Sequence, residues 1–257
     1  MKNISMFLAI IIFCAALFQT GSGGSEQIDS AEIEVDFSQP VVKTKSMSGF
    51  LHSVGDDIPA ENMIAPLKPK QWRIGKFDPA DYKRIVKSGA RPQIVLSDLW
   101  GYPALDPKIR PPYQIFAEYE NFVRKLAREN KSKDVIWDIW NEPEDPKLPF
   151  WKGTFDEFCE TYRRAYKVLR EELGADAMIG GPSFSRYNRV LLKRFLDYCA
   201  ANDCEVNFLS WHELDDRKIT GIAERLKEAR ELFAGNPAYA KLKIKEIQIN
   251  EIIGNSA

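Results

Sequence analysis

Two apolar runs in this 257-residue chain end on the same pair of residues. Val135–Glu144 reads "VIWDIWNEPE" and delivers Asn141 and Glu142 just before Pro143. Ile247–Glu251 reads "IQINE" and delivers Asn250 and Glu251. Two carboxyl groups at rigid points can divide acid–base labour. One, with its charged form disfavoured, stays protonated and hands a proton to a leaving oxygen; the other, beside a cation, stays ionised and supplies electron density to an electron-poor carbon. That pair of tasks is what breaking an acetal link between sugars requires, with one carboxyl on each side of the bond. His212, Trp100 and Tyr102 also fall just past the ends of apolar runs, and another such run, Gln71–Gly75, carries Arg73. Rings, carboxylates, amides and an arginine at one rim make a sugar-binding and sugar-cleaving inventory.

Such groups must be held to within about 1 Å to work, so the elements that carry them matter. Candidate strands lie at Met47–Val54, Gln71–Gly75, Gln93–Ser97, Asp134–Trp140, Ala177–Gly181, Val206–Trp211 and Lys245–Glu251. Segments of helical period separate them. Phe155, Phe158, Tyr162, Ala165, Leu169 and Leu173 keep a three–four spacing, with Thr154 and Glu157 set for a capping box and Gly174 past the end. Ile115, Tyr119, Phe122, Val123 and Leu126 mark an earlier helix, and Ile219, Ile222, Leu226, Ala229 and Phe233 a later one. Strands alternating with helices imply a parallel sheet covered by helices, either open and doubly wound or closed as an eight-fold barrel. "SGFLHSVG" does not match a glycine-rich nucleotide fingerprint, which disfavours the open sheet.

The expected fold is therefore α/β, a (β/α)8 TIM barrel over residues 46–257, cut after its seventh strand and incomplete at the C-terminus. Its active site belongs at the C-terminal ends of the strands. Pro143 cannot donate to a ladder and keeps Glu142 extended, so the fourth strand must end there. Strict alternation would send Asn141 and Glu142 to opposite faces, so a bend or bulge is expected at that point. Asp138, inside the same strand, requires a partner, expected to be an arginine or lysine inside the barrel. Trp137 and Trp140 are expected to pack in the core.

The first residues are of another kind. Lys2, the apolar run Ile4–Phe18 and the small polar stretch after it have the layout of a secretory leader, assigned to residues 1–24. The run is shorter than the roughly 20 residues of a membrane span. Secretion or a periplasmic location follows, with no membrane partner after cleavage. Residues 25–45, including "AEIEVDFSQPVV", are assigned to an outer strand of an accessory sheet. Cys159, Cys199 and Cys204 then remain; Cys199 and Cys204 could close a short loop, or all three could be buried thiols. With 36 basic and 37 acidic residues there is no field to attract nucleic acid. His52 and His212 are too few for a histidine-based metal site.

"WDIWNEP" with "IQINE" resembles the clan A glycoside hydrolases, retaining enzymes on the eight-fold barrel. "VIWDIWNEPE", "IGGPSF" and "NFLSWHEL" resemble family 39 most, the family of β-xylosidases and α-L-iduronidases; family 5 is the nearest rival. The resemblance implies roles. Glu142 would be the general acid and then the base, Glu251 the nucleophile. Asn141 would bind the sugar 2-hydroxyl, His212 would line the site, and Arg73 would hold the nucleophile ionised. Trp100, Tyr102 and Asn250 complete the expected substrate-binding set. The partner would be an oligosaccharide or polysaccharide, and neither cofactor nor metal is implied. The chain departs from the family's strand-six His-x-Tyr, since Glu213 and Leu214 follow His212. That departure keeps open a carbohydrate-binding barrel impaired in turnover, beside a family 5-like endo-glycanase and a transglycosylase.

Overall fold

A computed structural model describes residues 48–52, 54, 59–75, 78–97, 108–145, 147–214 and 220–252. The expected leader and the 25–45 segment lie outside the described residues. Seven strands run in chain order: β1 Gly49–Leu51, β2 Gln71–Ile74, β3 Arg91–Val95, β4 Ile136–Asp138, β5 Met178–Phe184, β6 Phe208–Glu213 and β7 Glu246–Ile252. Each pairs in parallel with the next, giving one sheet ordered β1 to β7. Helices fill the connections: α1 Pro79–Lys87, α2 Phe116–Glu129, α3 Phe155–Leu173, α4 Arg189–Ala201 and α5 Ile222–Ala229. β7 comes back against β1, without a ladder between them among the described residues. This is a (β/α)8 TIM barrel with seven staves in place.

Alternation sorts each strand's side chains. Ile94, Trp137, Ile139, Ile179, Leu209 and Trp211 face outward, into one core with the helices. Tyr119 and Val123 of α2, Phe158 and Tyr162 of α3 and Phe195 of α4 meet them there, all fully buried. The three–four spacing of α3 is therefore its core stripe. Its start is fixed as expected: Thr154 Oγ1 accepts from the Glu157 N–H (3.2 Å), and Glu157 Oε2 accepts from the Thr154 N–H (2.6 Å). Trp140 packs edge-on to Trp151 and Tyr119, so it and Trp137 are core residues as expected.

The inner face is different. Ile136, Met178 and Phe208 form a small apolar plug. Arg73 and Gln93 stand in register with Ile136 and Met178. Asp138 stands in register with Gly180 and Phe208. Gly180 is there for space: a Cβ would lie 2.3 Å from the Phe208 carbonyl oxygen. The barrel interior thus sets a small apolar plug beside the buried polar side chains Arg73, Gln93 and Asp138.

Several boundaries differ from expectation: β1 spans only Gly49–Leu51 of the expected Met47–Val54, β3 starts and ends two residues earlier and β6 two residues later than expected. β4 is shorter than Asp134–Trp140, because Trp140 takes a left-handed backbone (φ 79°). β5 continues beyond Gly181 to Phe184, across a cis Gly181–Pro182 peptide and a shift of register with β6. The later helix covers Ile222–Ala229 and closes in a wider turn over Arg230–Ala234; Ile219 lies outside the described residues. Cys159, Cys199 and Cys204 are free, buried thiols.

Candidate active site

The end of β4 bends as expected, but Glu142 is not extended before Pro143 as expected; it is left-handed, because its N–H is drawn to the Ser183 carbonyl. Ile139 N–H still donates to the Gly180 carbonyl (3.0 Å), and then Trp140 and Glu142 both adopt positive φ, 79° and 47°. Each such residue costs about 1–2 kcal/mol relative to ordinary backbone. The surroundings hold them: Trp140 Nε1 donates to the Phe150 carbonyl (3.1 Å) and the Glu142 N–H to the Ser183 carbonyl (2.9 Å). Two left-handed residues break the alternation, and Asn141 and Glu142 both turn inward. Asn141 Oδ1 accepts from Arg73 Nη2 (2.9 Å), and Glu142 Oε1 lies 2.6 Å from His212 Nδ1.

β7 reaches the same result by another route. Its pairing with β6 runs Trp211–Ile249 and then His212–Glu251, so Asn250 is an extra residue, a bulge. Asn250 and Glu251 then both reach the interior. Asn250 Nδ2 donates to Asp138 Oδ2 (3.1 Å) and Ser183 Oγ (2.8 Å). Glu251 Oε1 accepts from Arg73 Nη1 (2.5 Å), and Glu251 Oε2 lies 3.7 Å from His212 Nδ1.

Arg73 joins the two ends. Its third nitrogen, Nε, donates to Asp138 Oδ2 (2.8 Å), the interior partner expected for that carboxylate. Burial holds Glu142 protonated well above the usual range, up to about 7; Arg73 opposes this, Asp145 adds to it and Arg186 opposes. Burial pushes His212 down to about 3, helped by Arg73 and resisted by Glu251 and Asp138, so its ring is neutral. Nε2 of that ring is buried without a partner among the described residues. A lone pair there costs less than an orphaned N–H, so Nδ1 carries the proton and donates to Glu142 Oε1.

One ligand atom from each of Glu142, His212 and Glu251 lies within 4.8 Å of the others. A cation could be held there, although the Arg73 guanidinium already supplies positive charge to Glu251. Glu213 faces the opposite side of β6, where Trp211 Nε1 and a bidentate Arg225 of α5 hold it at 2.7 Å. Leu214, half-buried, occupies the next position. Trp100 and Tyr102 lie outside the described residues.

Sequence reasoning did not find Glu144, Gln93 or Ser183. Glu144 Oε1 accepts from the Ser185 N–H and hydroxyl, both at 2.7 Å, and burial lifts its carboxyl to about 7. It borders a cavity of about 590 Å³ walled by Pro143, Leu148, Trp151, Phe155 and Leu191. Only the acidic residue just past Asn-Glu-Pro was visible beforehand as a signal.

A family model described as glycosyl hydrolases family 39 matches residues 107–244, more than half of the chain. The chain belongs to glycosyl hydrolase family 39. The family 39 match takes in Glu142 and His212 and stops before Glu251. Among solved structures, the chain is similar to N2152 from Neocallimastix frontalis (24% identity, TM-score 0.62, covering 81% of this chain and 52% of that one). It is also similar to a glucosidase from Croceicoccus marinus (16%, TM-score 0.62, covering 82% and 54%). A GH39 β-xylosidase from Caulobacter crescentus is similar too (13%, TM-score 0.58, covering 85% and 56%). These likenesses concern the fold, and the chain spans about half the length of each of those structures. No curated protein matches the chain.

Proposed function

We propose that this family 39 chain carries the catalytic centre of a retaining glycoside hydrolase acting on an oligosaccharide or polysaccharide, of β-xylosidase type. The observation that carries the reading is the placement of two unlike carboxyls. Glu142 and Glu251 present oxygens within 4.8 Å of each other, one in a desolvating site and the other on a guanidinium. Retaining enzymes keep such groups about 5–5.5 Å apart, whereas inverting enzymes separate them by about 6.5–9.5 Å to admit a water.

With Oε1 taken by His212, the transferable proton of Glu142 sits on Oε2. It passes to the glycosidic oxygen as that bond to the anomeric carbon breaks. An oxygen of Glu251 attacks the same carbon and forms a glycosyl ester. Ionised Glu142 then takes a proton from water, whose oxygen attacks the anomeric carbon and releases Glu251 as carboxylate. Both glutamates end as they began. Export through the apolar leader completes the reading and would bring the enzyme to polymeric substrates.

Leu214, where the family's strand six often has tyrosine, favours a second reading, a barrel that binds sugar without turnover. Aryl glycosides separate the two. Hydrolysis by the full chain, with Glu142→Ala slowing poor leaving groups far more than activated ones, is the expected result. Equal losses across the series would remove Glu142 as the acid, and binding without any hydrolysis would favour the second reading.

A further inference from the structure

Asp138 is fully buried, and its bonded neighbours among the described residues include neither catalytic glutamate. Four side chains converge on it. Arg73 Nε (2.8 Å), Gln93 Nε2 (3.1 Å) and Asn250 Nδ2 (3.1 Å) donate to Oδ2, and the Ser183 hydroxyl lies 2.7 and 2.8 Å from the two oxygens. These partners come from β2, β3, β7 and β5. Burying a carboxylate is costly unless donors of this number and charge surround it.

Three of the four lead on to the glutamates. A guanidinium is planar, so fixing Nε fixes the fork; its other nitrogens then point at Glu251 and at Asn141, the neighbour of Glu142. Asn250, held by its amide, is the bulged residue next to Glu251. Ser183, held by its hydroxyl, offers its carbonyl to the N–H of Glu142 at the left-handed turn. Each glutamate is therefore tied to the same carboxylate by two routes.

We infer that Asp138 is the positioning residue for both halves of the reaction, setting the placement of Glu142 relative to Glu251 through Arg73, Asn250 and Ser183. This rests on the roles given to the two glutamates above. A purely structural ion pair would lower stability and leave the chemistry of folded molecules alone.

Asp138→Asn in the full chain decides the matter. The substrate-free readout is the titration of the Glu142 carboxyl by carbon NMR, assigned with Glu142→Gln. Arg73, His212, Asp145, Arg186 and Glu251 face or surround that group and are all retained in the variant, so a change reports the loss of Asp138 and of the placement it imposes. Loosening Arg73 and Ser183 changes the surroundings that tune Glu142, and the midpoint is expected to move by at least about half a unit. With 4-nitrophenyl β-xyloside, kcat is expected to fall about tenfold to a hundredfold with KM nearly unchanged. A Glu142 titration identical to wild type in the folded variant overturns the inference. If the wild type itself hydrolyses no glycoside, the functional reading fails, while the titration still decides the role of Asp138. If Asp138→Asn does not fold, Ser183→Gly cuts one link and suits the left-handed backbone there (φ 50°). Its Glu142 carboxyl resonance is expected to move, and an unmoved resonance overturns the inference.

Discussion

Replacing Glu142 by glutamine should stabilise the protein, and only above a definite pH. Burial lifts this carboxyl from its ordinary 4.5 to about 7. An unfolded chain gives up the proton near 4.5, while the folded chain keeps it to about 7. Between those values the native state binds more protons, so stability falls as pH rises; below 4.5 and above 7 the contribution is flat. The difference of about 2.5 units corresponds to about 3 kcal/mol, all of it lost by pH 8. Glutamine keeps the shape and still accepts from His212 Nδ1, but it has no charge to desolvate. Glu144 is present in both proteins, and loses a neighbouring anion in the variant, which acts in the same direction. For a domain of this size each kcal/mol moves Tm by about 2–4 °C. Glu142→Gln and wild type should therefore melt together near pH 4.5 and separate by about 6–12 °C at pH 8, the variant higher. The assay is thermal unfolding of both across that range. A gap independent of pH, or a variant that melts lower at pH 8, would refute the claim that burial tunes this group.

Other substitutions probe the frame around the site. Gly180→Ala drives a methyl onto the Phe208 carbonyl and ring; it should cost about 1–3 kcal/mol, read as a lower urea midpoint with unchanged slope. Arg73→Met strands two carboxylates and should cost about 3–5 kcal/mol. Combined with Asp138→Asn, the loss in the same urea assay should fall short of the summed single losses by at least about 1 kcal/mol, whereas strict additivity would deny the coupling.

Much of this molecule is legible from residue order. The staves, the α3 capping box and the barrel follow from alternation, three–four spacing and the strand–helix rhythm, which are local signals. The two Asn–Glu ends were visible because each closes an apolar run. The mechanism of their inward turn was not. Left-handed Trp140 and Glu142 depend on bonds to Phe150 and Ser183, and the β7 bulge depends on its pairing with β6. Asp138 announced itself as an anomaly, a charge within a buried strand. Its partners on β2, β3, β5 and β7 are brought together only by barrel closure, so no window of sequence contains them. Glu144 stayed hidden for the reverse reason: an acidic residue after a strand end looks like any solvated one until its burial is known.

The central claim is that Glu251 attacks and Glu142 gives and takes the proton. Activated 2-fluoro-glycosides test it most directly, because fluorine at carbon 2 slows both steps while a good leaving group speeds only the first. The account predicts that the protein, exposed to a panel of such sugars and digested, yields a glycosylated peptide carrying the sugar on Glu251. An adduct on any other residue, or none from any sugar in a protein that hydrolyses aryl glycosides, would contradict it.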